Sequence, residues 1–378
     1  ARTRPAIAAA GATAETVPDD AARKAPAWTS LRVLLVIAVH LALAVAVLLS
    51  WQDRALVPYA GTVTLVVLAA AALTVPEAAR FLHVGIGYAY ALVLVGTALS
   101  LAGVDGVALL SLTASAGLLG AVVATFLPVV HARNWQTVLV VATVPFALGV
   151  VQVVFERSGW TALSTGLMFG LALALLLTRR EGLTVVIRTV AAGLLVPTLA
   201  VVILCLGAQL LVQSGSPVVL PVIAAVIALV LPSGRMIRDG LVARGRIAAT
   251  ADAARAAIEA SALLTGAIAV LLALAREAAG FGTACLVLIL LGIGAALTSL
   301  LAARRFGWWV AGVAFTGALW SLWALNGVQL VEAYLLPPAL AAALIAVLLA
   351  LRGARAVPLF AAGLAGAIIP VLVLLIAG

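Results

Sequence analysis

The chain has 378 residues, of which 66% are hydrophobic and only 9% charged. Such usage lies far outside that of soluble globular domains and puts most of the chain in lipid. A net charge of +9 would suggest nucleic acid in a soluble protein, but here the basic residues fall between apolar runs and form no patch, so no nucleic-acid partner is expected.

Ala1–Ser30 is rich in Ala, Pro, Thr and charge and nearly devoid of large apolar side chains, which predicts a disordered cytoplasmic tail. The chain starts at Ala1 without an initiator Met, as a processed product or a fragment would. Leu31 opens a full-length apolar run, not the short core of a secretory signal. A helix needs about 20 mostly apolar residues to cross about 30 Å of hydrocarbon, and in so apolar a sequence only helices satisfy their own backbone there. Thirteen spans are predicted: Leu31–Ser50, Val57–Val75, Val84–Ala102, Val107–Leu127, Thr137–Phe155, Thr161–Leu177, Thr189–Val212, Val218–Leu231, Ala257–Ala275, Gly280–Ala302, Phe306–Leu325, Ala333–Leu351 and Val357–Ala377. The fold class is all-α, a polytopic transmembrane helix bundle.

Lysine and arginine accumulate on the cytoplasmic side of membrane proteins. With the tail inside, only Arg54, Arg157 and Arg276 of the 22 basic residues fall outside, which predicts a cytoplasmic N-terminus, an external C-terminus and a plasma-membrane (inner-membrane) location. Trp28, Trp51, Trp135, Trp160, Trp308, Trp309, Trp320 and Trp323 all lie near predicted span ends, where indole rings favour the interface. Connections are short except for 235–256, a basic segment predicted to be a cytoplasmic loop dividing a first bundle (31–234, eight spans) from a second (257–378, five spans). It carries five arginines, of which Arg235, Arg238, Arg244 and Arg246 stand among the apolar Met236, Ile237, Leu241 and Val242. Two readings fit: an ordinary positive-inside loop, or a short interfacial helix held by anionic lipid headgroups. Thr250 is placed to cap the following helix, and Arg255 with Glu259 to form an i,i+4 pair.

Ionisable groups within spans are few. His40 lies midway along the first and fits either a proton or headgroup contact or a hydrogen bond to a backbone carbonyl. Glu259 and His83 fall near span ends, within reach of water. Asp53 occupies the first outer loop, where polyprenyl-phosphate-sugar glycosyltransferases carry an acidic base, but Gln52–Leu56 is too short for the substrate-covering element of such enzymes and supplies no paired group. Gln152, Gln209, His40 and Tyr88 are the side chains that would line a polar transport cavity. Cys205 and Cys285 lie in apolar runs and read as packing residues. No nucleotide-binding glycine pattern, metal cluster or nucleophile elbow is present, so neither catalytic residues, cofactor nor metal is expected.

Residues 331–377 carry the most particular pattern: Glu332, Tyr334, Leu336 and Pro337 open one span, and Gly363, Leu364 and Pro370 punctuate the last. This stretch resembles the conserved end of an actinobacterial family of many-spanning membrane proteins of unknown function, the SCO-type "C-terminal domain-containing membrane proteins". The resemblance implies a polytopic membrane protein and brings no activity with it. Members of that family often carry a cysteine-rich N-terminal module, which this chain lacks. Glu332 with Pro337 and Pro338 fits either a broken span entrance lining a polar cavity or a plain helix start with Pro near its first position. Many spans, small loops and internal Gly and Pro point to a carrier or flippase-like protein handling an amphipathic or lipid-linked envelope component, with membrane lipids as partners. The alternative is a non-transporting scaffold or assembly subunit of a membrane complex.

Overall fold

The computed structural model describes residues 20–53, 55–153, 158–210, 218–275, 279–353 and 356–377. Among them it contains thirteen α-helices and no strand: α1 Asp20–Ser50, α2 Val57–Thr74, α3 Glu77–Leu101, α4 Gly106–Phe126, α5 Ala132–Val153, α6 Gly159–Leu177, α7 Val185–Leu210, α8 Val219–Ala243, α9 Ala248–Ala275, α10 Gly280–Leu301, α11 Phe306–Leu325, α12 Val331–Leu351 and α13 Val357–Ala377. Ten are long and apolar enough to cross a membrane, so the protein is a multi-pass membrane protein. α1, α5 and α13 fall outside those ten.

The chain divides by contact into two units, residues 1–67 and 68–378. In the first, α1 begins at Asp20, so 20–30 are helical and not part of a disordered tail; 1–19 lie outside the described residues. Nearly every described apolar side chain of α1 is exposed, as in a helix surrounded by lipid. In the second unit, two apolar cores follow one another. One is built by α4 to α7 around Leu118, Trp135 and Leu171. The other is built by α6 to α10 around Ala224, Ile227, Ala254, Ile258 and Val287. The second core contains many alanines, which let helix axes approach closely where apolar burial alone gives no drive for association. At Gly294 of α10 the approach is so close that a Cβ there would collide with the backbone of Ala228 in α8.

The second core also corrects the predicted seam. It takes residues from both sides of 235–256, so the chain does not divide there. Nor is that segment a loop. α8 runs through Pro232 to Ala243, because its buried stripe of Leu220, Ile223, Ala224, Ile227, Leu231, Gly234 and Leu241 keeps the helical period. The carbonyl that Pro232 leaves without its i+4 donor is that of Ala228, which lies against Gly294. Arg235 and Arg238 are therefore on a helix end, and only 244–247 form the turn. Thr250 is no cap, since α9 starts at Ala248 and buries it within the first turn. Helix starts that do carry side-chain caps are α6, where Ser158 Oγ accepts from the Thr161 amide, and α7, where Thr184 Oγ1 accepts from the Ile187 amide at 3.2 Å.

Candidate functional site

The turns α4–α5, α6–α7, α8–α9 and α10–α11 meet at one end of the 68–378 unit, and arginines hold them together. The last carbonyls of a helix have no partner within it and carry the negative end of its dipole, so a guanidinium is the fitting cap. Arg180, in the α6–α7 turn, donates through Nη1 to Thr125 O (2.8 Å) and Ala124 O at the end of α4 and through Nη2 to Val130 O just beyond. Its guanidinium also lies 4.9 Å over the ring of Trp135. Trp135 is fully buried, with its indole N–H donating to Thr125 Oγ1, so it faces the core and not the lipid interface expected of it. Arg246, in the α8–α9 turn, donates from Nη2 to Leu177 O (2.7 Å) and Thr178 O (2.6 Å) at the end of α6. Arg179 donates from Nε to Arg244 O (3.1 Å) at the end of α8. Burial holds the Arg180 guanidinium below its ordinary pKa.

Beside these caps lies a second cluster. Glu259 accepts from Arg255 Nε at 2.6 Å and faces Arg304 Nη2 at 3.0 Å, while Arg255 Nη2 reaches Ala302 O at the end of α10 (3.3 Å). The expected i,i+4 pair is present, but Glu259 does not reach water: its side chain is 6% exposed. Predicting the span to begin at Ala257 hid this, since α9 extends more than two turns further back.

Between the turns remains a cavity of about 430 Å³ bordered by Arg179, Arg180, Glu181, Arg188, Gly245 and Arg246. Glu181 forms no ion pair with these arginines. Arg188 Nε and Arg246 Nε are buried and donate to no described residue. Arg246 is held below its ordinary pKa by burial, then by the charges of Arg188 and Arg179. A second cavity, an apolar groove of about 570 Å³, runs between α3 and α5 and is lined by Phe81, Leu82, Gly85, Ile86 and Val140, with Arg133 and Gln136 among its polar residues. Gln136 donates to Gly182 O (2.8 Å), so the groove and the basic cavity both border the α6–α7 turn. Arg188 and the pair Arg179–Arg180 were visible in the sequence only as positive-inside charge; nothing in their spacing to Arg246 shows that the two turns converge.

The sequence-predicted residues are dispersed. Arg235 faces Asp239 (3.9 Å), Arg238 bonds Asp252 (2.6 Å) and Asp239 (3.0 Å), and Arg244 contributes its carbonyl to Arg179 while its side chain is exposed. His40, in the 1–67 unit, donates from Nδ1 to Val36 O of its own helix at 2.6 Å. Asp53 Oδ1 accepts from the Ala55 amide (3.0 Å), closing the turn before α2. Tyr88 OH donates to Gly117 O of α4 (2.5 Å) and Gln209 packs its amide on Gly159, so these two serve separate helix pairs and not one cavity. The Gln152 side chain lies outside the described residues.

Glu332 is half-buried in the first turn of α12. Pro337 and Pro338 stand seven and eight residues into that helix, not near its start, so they remove the donors to Ala333 O and Tyr334 O. The Trp320 indole N–H of α11 takes up the Tyr334 carbonyl at 2.6 Å, and Tyr334 OH donates to Val328 O (2.8 Å), locking the α11–α12 turn. In α13, a Cβ on Gly363 would stand 2.7 Å from Ala343 N and 2.8 Å from Ala339 O, so this glycine lets α12 and α13 touch backbone to backbone.

No protein family, curated protein or solved structure matches the chain.

Proposed function

We propose that this protein is a plasma-membrane carrier or flippase-like protein for an amphipathic, lipid-linked envelope component whose anionic headgroup is held at the basic helix-end face. The observation that carries this is the shared border of the basic cavity and the apolar α3–α5 groove along the α6–α7 turn. A headgroup and an acyl or prenyl chain need such neighbouring environments, one charged and one apolar. Exposed Arg235 and Arg244 extend the same face toward anionic headgroups. In this proposal all thirteen helices span, the N-terminus is cytoplasmic and the C-terminus external, following the arginine bias. The likeness of 331–377 to the actinobacterial membrane family belongs to the same proposal. The test is lipid analysis of the purified full chain: enrichment of an anionic amphiphile over the bulk membrane is expected, and bound lipid of bulk composition would refute it. Single cysteines placed in the α3–α4 and α10–α11 turns should label from opposite sides in intact cells.

A second reading, a non-transporting assembly subunit, is favoured by one observation: the Tyr88 and Tyr334 hydroxyls are both spent on backbone carbonyls. Co-purification with a stoichiometric membrane partner, without lipid enrichment, would select it.

A further inference from the structure

The charge of the basic cavity identifies its ligand more closely. Four guanidiniums, of Arg179, Arg180, Arg188 and Arg246, border it against the single carboxylate of Glu181. Three of the four are engaged at helix C-termini, each of which offsets roughly half an elementary charge. A positive charge of about one and a half therefore remains unneutralised. The donors that remain are on Arg188, whose guanidinium bonds no described residue and whose Nε is buried, and on Arg246, whose Nε is buried without a partner while Nη2 caps α6. A buried donor without a partner is costly, and Arg188, whose whole guanidinium bonds no described residue, borders the cavity together with Arg246. A planar guanidinium fork fits the oxygens of a phosphate group.

We infer that this cavity binds a phosphate group carrying close to two negative charges, a phosphomonoester or diphosphate, through Arg188 and Arg246, and that it discriminates against the single charge of a phosphodiester headgroup. A phosphomonoester carries about −1.5 to −2 at neutral pH, which matches the residual charge. The lipid-borne form of this ligand rests on the amphiphile proposal above; the phosphate site itself does not.

The experiment is binding by the purified full chain to phosphatidylcholine vesicles doped with phosphatidic acid or, at matched surface charge, with phosphatidylglycerol, with soluble pyrophosphate as a third probe. Phosphatidic acid should bind at least about tenfold more tightly than phosphatidylglycerol. Arg188→Gln and Arg246→Gln should each abolish that preference, while Arg352→Gln, exposed in the α12–α13 turn, should leave it intact. Equal binding of the two lipids overturns the charge assignment and leaves the amphiphile proposal standing. Binding of pyrophosphate without preference for phosphatidic acid supports the phosphate site and overturns its lipid-borne form. Failure to bind any of the three overturns both. The preference is measured on the unmodified protein, so a variant that does not fold cannot rescue the inference.

Discussion

Replacing Glu259 by Gln should destabilise the protein more than any other single isosteric change at the helix-end face. The carboxylate is 6% exposed, Arg255 is 10% exposed and 2.6 Å away, and Arg304, 37% exposed, stands at 3.0 Å on the other oxygen. Removing the negative charge leaves two guanidiniums facing each other across a neutral amide. Breaking a buried ion pair from one side costs about 3–5 kcal/mol. The Arg304 share is discounted, because that group reaches solvent and is screened. The expected loss is therefore about 3 kcal/mol, at the lower end of that range. Equilibrium unfolding of the purified protein in mixed micelles of increasing SDS fraction, followed by tryptophan fluorescence, measures it. The double replacement Arg255→Met with Glu259→Met removes both charges and should recover most of the loss, because a buried pair and a well-packed apolar pair are often similar in stability. A single variant within about 1 kcal/mol of the parent, or a double variant no better than the single, would refute the assignment of Glu259 as the counter-charge of this end.

Other changes test the remaining contacts. Trp320→Phe should cost about 0.6–1.7 kcal/mol, the range for a hydrogen bond between membrane helices, and the cost should shrink when Pro338→Ala restores a donor to Tyr334 O; a double-mutant cycle in the same unfolding assay reads this. Gly363→Leu should part α12 from α13, detected as lost disulfide formation between Ala339→Cys and Gly366→Cys, whose Cβ positions stand 3.4 Å apart, in a background freed of Cys205 and Cys285. Arg180→Met should lower stability by about 2 kcal/mol or more, since it strips charge-assisted bonds from the end of α4, and should alter the fluorescence of the buried Trp135 as its cation–π partner is lost.

Membrane character and helix order could be read from the sequence because the apolar runs are long, ten of the thirteen helices being long and apolar enough to span, and the interruptions between them are polar. What the runs could not show was where a helix continues past its apolar part. α8 looked finished at Leu231, since Pro232 and the arginines follow, yet Leu241 returns on the buried face and the helix carries on to it. The same blindness hid Glu259, whose helix starts earlier than its apolar stretch. The candidate site was only half legible: the arginines were seen as a count on one side of the membrane, while their sorting into caps, ion pairs and two bare groups depends on which turns meet. Arg179 and Arg244 are 65 residues apart, and no local pattern joins them. Conversely, Tyr334 and Pro337 stand out in the sequence as an unusual pattern, and the geometry gives Tyr334 a fastening role, through its hydroxyl on Val328 O and its carbonyl, freed by Pro338, on Trp320.

The arginine caps also impose an order on assembly. The end of α4 is closed by Arg180, which emerges from the ribosome only after α5 and α6, and the end of α6 by Arg246, which emerges only after α7 and α8. Each helical hairpin thus stays open at one end until the following hairpin has been made, and each newcomer seals its predecessor. A nascent chain arrested after α6 would carry a bare set of carbonyls at the end of α4, a polar edge that only the next turn can close.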